Sequence, residues 1–271
     1  MLHYPNFDPV ALAVGPLKIR WYGLMYVIGF LSAWRLGRGR AAKPDSTWTA
    51  LEVDDLLYFC VFGVILGGRL GWLLFYGQDA LAEDPNYWYK IWQGGMSFHG
   101  GLIGVLIALG VFAYTRKRNL LDVMDFAVPL PAIGIGAGRI GNFINGELWG
   151  KPTDVPWGFS VQGGDGLTQV LHASQLYEAA LEGGALFLIL WWFTRRPRPR
   201  CAPAGLFLIS YASFRMLVET VRVPDAQLGY LSGGWLTMGM LLSLPMLVIG
   251  LALLMGAYWR PQRSGNTLPS A

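Results

Sequence analysis

The chain has 271 residues, 54% of them hydrophobic, a mean hydropathy of +0.39 and only 14% charged residues. Soluble domains carry roughly 25% charged residues, so the composition excludes an ordinary soluble globule and points to a polytopic membrane protein. The net charge of +4 lies in short basic clusters between apolar runs, a topology signal rather than a nucleic-acid footprint, and the two cysteines, Cys60 and Cys201, are too far apart in the chain to read as a disulfide scaffold.

Residues 1–18 read as an external N-terminal arm. They hold three prolines and no basic stretch ahead of an apolar core, so no cleavable signal peptide is expected. Seven apolar stretches long enough to span follow, at 19–37, 53–76, 97–115, 124–144, 174–194, 203–222 and 235–258. Residues 77–96, with Pro85, Tyr87, Trp88, Tyr89 and Trp92, read as an interfacial aromatic segment, and the Gly-, Pro- and Asp-rich residues 145–173 as a small external cap. Residues 259–271 are expected to be a cytoplasmic tail, its last ten residues polar and disordered.

Lys and Arg orient the spans. Arg35, Arg38, Arg40 and Lys43 follow the first, Arg116, Lys117 and Arg118 the third, Arg195, Arg196, Arg198 and Arg200 the fifth, and Arg260 and Arg263 the seventh. The opposite loops hold Asp79, Glu83, Asp84, Asp154 and Asp165. The positive-inside rule then gives an all-α polytopic protein with seven transmembrane helices, its N-terminus outside and its C-terminus cytoplasmic.

The polar residues within the spans gather at the external side: Tyr22, Arg69, Ser97, His99, Arg139, Asn142, Ser174, Gln175, Glu178, Glu182, Tyr211, Arg215, Glu219 and Arg222. The inner half is almost featureless, with Asp54, Asp55 and Asp125 at its edge. A channel or a proton path needs polar groups through the full depth, and a transporter often shows broken helices in paired positions. A cluster confined to the outer half suits chemistry on something at the external membrane surface. A non-catalytic lipid binder is the remaining alternative.

Arg139 stands out, because a guanidinium in an apolar, glycine-rich run is costly and is read as functional by default. Arg139 and Arg215 suit an anion, since guanidinium forks match phosphate oxygens, whereas Arg69 and Glu182 read as structural ion-pair members. Asn142 is expected to hydrogen-bond substrate or to orient Arg139, Glu147 to fix that arginine or the cap, and Gly150 to serve a backbone conformation or a close approach. Tyr211, Arg215, Glu219 and Arg222, spaced 4, 4 and 3, should share a helix face. His99 sits among glycines and is a candidate general base or substrate contact, with Tyr22 a candidate hydrogen-bond donor. No spacing resembles a zinc site or a serine-hydrolase elbow, so no metal and no cofactor is expected. Gly67-Gly68-Arg69-Leu70-Gly71 echoes Ala137-Gly138-Arg139-Ile140-Gly141, which reads as a recurrent small-residue packing pattern rather than a repeat.

The run Gly138-Arg139-Ile140-Gly141-Asn142-Phe143-Ile144-Asn145-Gly146-Glu147-Leu148-Trp149-Gly150 resembles the signature of the bacterial prolipoprotein diacylglyceryl transferases. So do Trp21-Tyr22-Gly23, His99-Gly100-Gly101, Ser174-Gln175-Leu176-Tyr177-Glu178, and Tyr211, Arg215 and Glu219 followed by Arg222, Pro224 and Asp225. The likeness runs from about residue 4 to 258; Ala173 stands where the family usually has proline, and the external cap is short. The resemblance implies transfer of diacylglyceryl from phosphatidylglycerol to the lipobox cysteine of a preprolipoprotein signal peptide. It implies catalytic roles for His99, Arg139, Arg215 and Tyr22. Substrate binding would fall to Arg139, Asn142, Glu147, Gly150, Tyr211, Arg215, Glu219 and Arg222. The expected location is the bacterial inner membrane, with the active site facing the outer leaflet.

Overall fold

The computed structural model describes residues 1–15, 17–163, 166–224, 229–231 and 233–259. Asp165, Asp225, Arg260, Arg263 and the expected disordered tail therefore lie outside the described residues.

The apolar runs form the helices, and side-chain caps start those at Ala50 and Phe98. Helix α1 covers Trp21–Ala41 and α2 covers Ala50–Phe75. Helix α2 opens on a capping box, Thr49 accepting from the Glu52 amide while Glu52 accepts from the Thr49 amide. A short α3 (Gln78–Glu83) and two 3-10 turns (Pro85–Tyr89 and Ile91–Gln93) precede α4 (Phe98–Thr115), whose cap Ser97 accepts from the Gly100 amide. Helices α5 (Leu120–Ala127) and α6 (Ala132–Ile144) are bent by 51° at the break containing Pro129 and Pro131, which lack the amide hydrogens that a continuous helix needs. Helix α7 (Ser174–Glu178) runs through a π-helical segment, Ala179–Ala185, into α8 (Leu186–Phe193); α9 (Ala202–Glu219) and α10 (Met238–Trp259) follow.

Four of these are long and apolar enough to cross a membrane: α2, α4, the continuous Ser174–Phe193 and α10. The bent pair α5–α6 makes up to five. Helix α1 carries Arg35 and Arg38 and α9 carries Arg215 and Glu219, and these charges hold both below that apolarity. The expectation of an all-α chain needs correction. The arm contributes β1 (Leu2–His3) and a hairpin of β2 (Val10–Val14) and β3 (Leu17–Arg20), and the cap contributes β4 (Phe159–Gln162) and β5 (Thr168–Leu171). Strand β4 pairs antiparallel with β5, Phe159 opposite Leu171, and parallel with β1. Strands of two to five residues leave too little alternation to stand out beside long apolar helices.

The chain forms two units, Met1–Met25 with Ile135–Ala271, and Tyr26–Gly134. The second has a core of Trp48, Val53, Leu56, Leu109, Phe112, Val123 and Phe126 among others, with Trp48 stacked on Phe126 at 4.0 Å. Its α2 and α4 meet backbone to backbone. A Cβ at Gly67 would lie 2.4 Å from the Gly100 carbonyl oxygen, and one at Gly104 would lie 2.0 Å from that of Gly63. The glycines of the Gly67–Gly71 run are thus a packing surface, as the small-residue reading anticipates. In the first unit the same device joins α6 to the π-helical segment at Gly136 and Gly183, and α9 to α10 at Gly205 and Gly250.

Candidate active site

The approach of Gly136 to Gly183 sets α6 against the Ser174–Phe193 helix, and Arg139, one turn on, reaches its carboxylates. Arg139 Nε lies 3.2 Å from Glu178 Oε2, and Nη2 lies 3.6 Å from Glu182 Oε2. Helix α9 supplies Arg215, whose Nη1 donates to Glu178 Oε1 at 2.6 Å and whose Nη2 lies 2.7 Å from Glu219 Oε2. Arg222 Nη1 donates to the same Glu178 Oε1 at 3.1 Å. Three guanidiniums therefore converge on one carboxylate that is 1% exposed. A lone buried charge is costly, and this interleaving of cations and anions is what makes the cluster tolerable. Glu219 is anchored on its other side by the Thr237 hydroxyl, which donates at 2.9 Å. Glu182 has long charge contacts to Arg139 at 3.6 Å and Arg215 at 3.9 Å, and neither of its oxygens accepts a hydrogen bond among the described residues.

The shared face expected of α9 holds for Tyr211, Arg215 and Glu219. Arg222 lies beyond the helix end and reaches Glu178 from a turn, where it forms an isolated bridge with Gly150. Gly150 allows a close approach: its amide donates to the His172 carbonyl at 2.8 Å, and a Cβ there would lie 2.6 Å from the Val221 carbonyl oxygen. Tyr211 stacks on Phe207 one turn before Arg215. Tyr22 packs on α6 at Gly141, where a Cβ would come within 3.0 Å of its ring. Both phenols lie within electrostatic reach of Arg139.

Asn142 and Glu147 form a second group. Glu147 Oε1 accepts from Asn142 Nδ2 at 2.8 Å and from Asn145 Nδ2 at 3.3 Å. Among the described residues no ion pair joins Glu147 to Arg139; of its two expected roles, fixing that arginine or the cap, its side-chain contacts fall at the end of α6 and the start of the cap, at Asn142 and Asn145. Its backbone carbonyl accepts from Gln175, and that of Leu148 accepts from Ser174 Oγ at 2.8 Å. Tyr4 from the arm donates to the Phe143 and Ile144 carbonyls, both at 2.9 Å, which satisfies the open end of α6.

His99 belongs to the other unit, as the second residue of α4, and its side chain is exposed. Arg69, read from the sequence as a structural ion-pair member, has backbone carbonyls as its partners rather than carboxylates. Sequence reasoning placed Glu178 and Glu182 in the outer polar cluster, with Glu182 as a structural ion-pair member, but did not name either among the catalytic or substrate-binding residues; it did not show that Glu178 is shared by three arginines. Nothing in the sequence marked Tyr4.

The family profile described as prolipoprotein diacylglyceryl transferase matches residues 9–256. The chain is 56% identical over 260 residues to the phosphatidylglycerol–prolipoprotein diacylglyceryl transferase of Pseudomonas aeruginosa strain UCBPP-PA14, covering 96% of this chain and 97% of that protein. It is 57% identical over 253 residues to the protein of that name from Oleidesulfovibrio alaskensis strain G20, covering 93% and 94%. With the protein of that name from Pseudomonas fluorescens strain SBW25 it shares 55% over 268 residues, covering 98% and 99%.

Proposed function

The chain belongs to the prolipoprotein diacylglyceryl transferase family, and on that premise we propose that it transfers diacylglyceryl from phosphatidylglycerol to the lipobox cysteine of prolipoproteins, the first step of bacterial lipoprotein maturation. The observation that carries the reading is the convergence of Arg139, Arg215 and Arg222 around buried carboxylates in an otherwise apolar helical protein.

The cysteine sulfur attacks the glyceryl carbon that bears the phosphate oxygen. A carbon–sulfur bond forms, the carbon–oxygen bond breaks, and glycerol phosphate leaves with the electron pair. A thiol is mostly protonated at neutral pH, so a base must take its proton. His99 takes that role, imidazole being the side chain best suited to accept a proton near neutrality. The departing phosphate ester needs cationic donors where its charge grows. Arg139 and Arg215 take that role. Arg139 contacts Glu178 through Nε at 3.2 Å and Glu182 through Nη2 at 3.6 Å, lengths that leave its hydrogen-bonding capacity open to a phosphate oxygen. Tyr22 and Tyr211 donate to the headgroup or to the leaving phosphate. Asn142 and Glu147 hold the end of α6 and contact substrate, while Gly150, Glu219 and Arg222 shape the floor of the site.

The proposed placement is seven spans in a bacterial inner membrane, formed by α1, α2, α4, the α5–α6 pair, Ser174–Phe193, α9 and α10. The N-terminus and the cap at 145–173 lie outside, and the active site faces the outer leaflet. Purified protein in detergent, given a lipobox peptide and phosphatidylglycerol, is expected to add one diacylglyceryl mass to the peptide and release equimolar glycerol phosphate. Tight lipid binding without either product would leave a lipid-binding protein instead. His99→Gln is expected to lose turnover at neutral pH and to regain it as the pH is raised and the thiol ionises unaided. Near-normal turnover with an unchanged pH profile would remove the base role.

A further inference from the structure

Arg69 is 3% exposed and has no carboxylate partner among the described residues. Its guanidinium instead serves as the hub of the turn that leads into α4. Nε donates to the Trp88 carbonyl at 3.1 Å, Nη1 to the carbonyls of Gly94 and Gly95, and Nη2 to those of Tyr87 and Lys90. The cation also lies over the Tyr87 ring at 4.6 Å and the Trp72 ring at 5.5 Å. Gly94 and Gly95 then turn the chain with φ of 88° and 82°, a conformation that only glycine adopts freely. Two residues on, the Ser97 amide donates to the Gly68 carbonyl at 2.9 Å, and Ser97 caps α4. His99 is the second residue of that helix.

We propose that Arg69 is a positioning residue for His99: by gathering the carbonyls of the Tyr87–Gly95 turn onto α2, it fixes where α4 begins and so where the imidazole stands. The inference rests on the reading of His99 as the base. A bare structural role accounts for burial. It does not account for a fork of five donors spent on the segment that ends two residues before Ser97. Lysine, a compact point charge with three donors, cannot span carbonyls on both sides of the turn.

The test is a double-mutant cycle in the full-length purified protein with Arg69→Lys, His99→Gln and the pair, reading kcat, KM for phosphatidylglycerol and the pH profile. Arg69→Lys is expected to lower kcat at least tenfold with KM changed less than twofold, and to flatten the limb of the pH profile that His99→Gln removes. Added to His99→Gln it is expected to cost nothing further. Gly94→Ala gives an independent arm, because a Cβ there meets nothing within 4 Å and only strains the turn, leaving Arg69 in place. It is expected to show the same dependence on His99, and it decides the matter if Arg69→Lys fails to accumulate. If His99→Gln is impaired but the losses multiply in the pairs, Arg69 acts on the fold alone and the inference is overturned. If His99→Gln turns over normally, the base reading itself fails, and the positioning role falls with it.

Discussion

Glu178 meets three guanidiniums through two oxygens, and it is the residue on which the buried charges of the first unit depend. Glu178→Gln would leave three cations facing two carboxylates, the situation in which a broken buried pair costs about 3–5 kcal/mol. It is expected to lower the thermal stability of the purified protein sharply, whereas Arg139→Lys, which keeps the charge, is expected to accumulate and melt near the wild type. Arg139→Lys should nonetheless lose at least tenfold in turnover if the proposed phosphate role holds, because an ammonium cannot reproduce a fork that contacts Glu178 and Glu182 and still presents donors to a phosphate. Retention of most activity would mean that charge alone matters there. Asn142→Ala removes the 2.8 Å donor to Glu147 and leaves Asn145 as the remaining contact, so it is expected to fold and to lose activity. Failure to accumulate in the membrane would assign Asn142 to packing.

At the scale of elements, glycine pairs set helix spacing. Gly104→Ala places a methyl group against the Gly63 carbonyl at 2.0 Å, so α2 and α4 must separate, at a cost of about 1–3 kcal/mol typical of overpacking. The expected result is a lower melting temperature, whereas Gly110→Ala on the same helix, where a Cβ meets nothing within 4 Å, should melt like the wild type. The turn after α3 carries a pH-dependent tie. Lys90 donates to Asp84, which also caps Asn86, and the Asp84 carboxyl is held below its ordinary value of 3.8 by the Lys90 hydrogen bond first and the Asn86 amide second. A depressed acid contributes order above its unfolded pKa and loses it as the pH falls through the lower folded value. Trp88 fluorescence is expected to stay constant at neutral pH and change below about pH 3.8, and Asp84→Asn should abolish that transition.

At the scale of the molecule, the orientation proposed from the basic loops can be tested by labelling. Single cysteines at Arg38, Lys117 and Arg196, in a background with Cys60 and Cys201 replaced, are expected to be shielded from an impermeant reagent added outside intact cells. External labelling at two of them would reverse the orientation. The amino-acid sequence by itself determined the class of the protein, its family and the approximate extent of most of its helices, though not the break at Pro129 and Pro131 that divides the expected span 124–144. Hydropathy and helical period act over long windows, and the motif from Gly138 to Gly150 is a continuous stretch. Tertiary structure alone decided that Glu178 is shared by three arginines, that Glu147 is held by two asparagines, that Arg222 reaches the cluster from beyond its helix, and that Arg69 binds carbonyls. The short strands of arm and cap also emerged only in the fold, because pairing such as Leu2 with Phe159 joins residues far apart in the chain. The physical reason is common to all of these. A buried charge or an open backbone group requires a partner, and the sequence states the requirement, but only the packing of distant segments determines which group meets it.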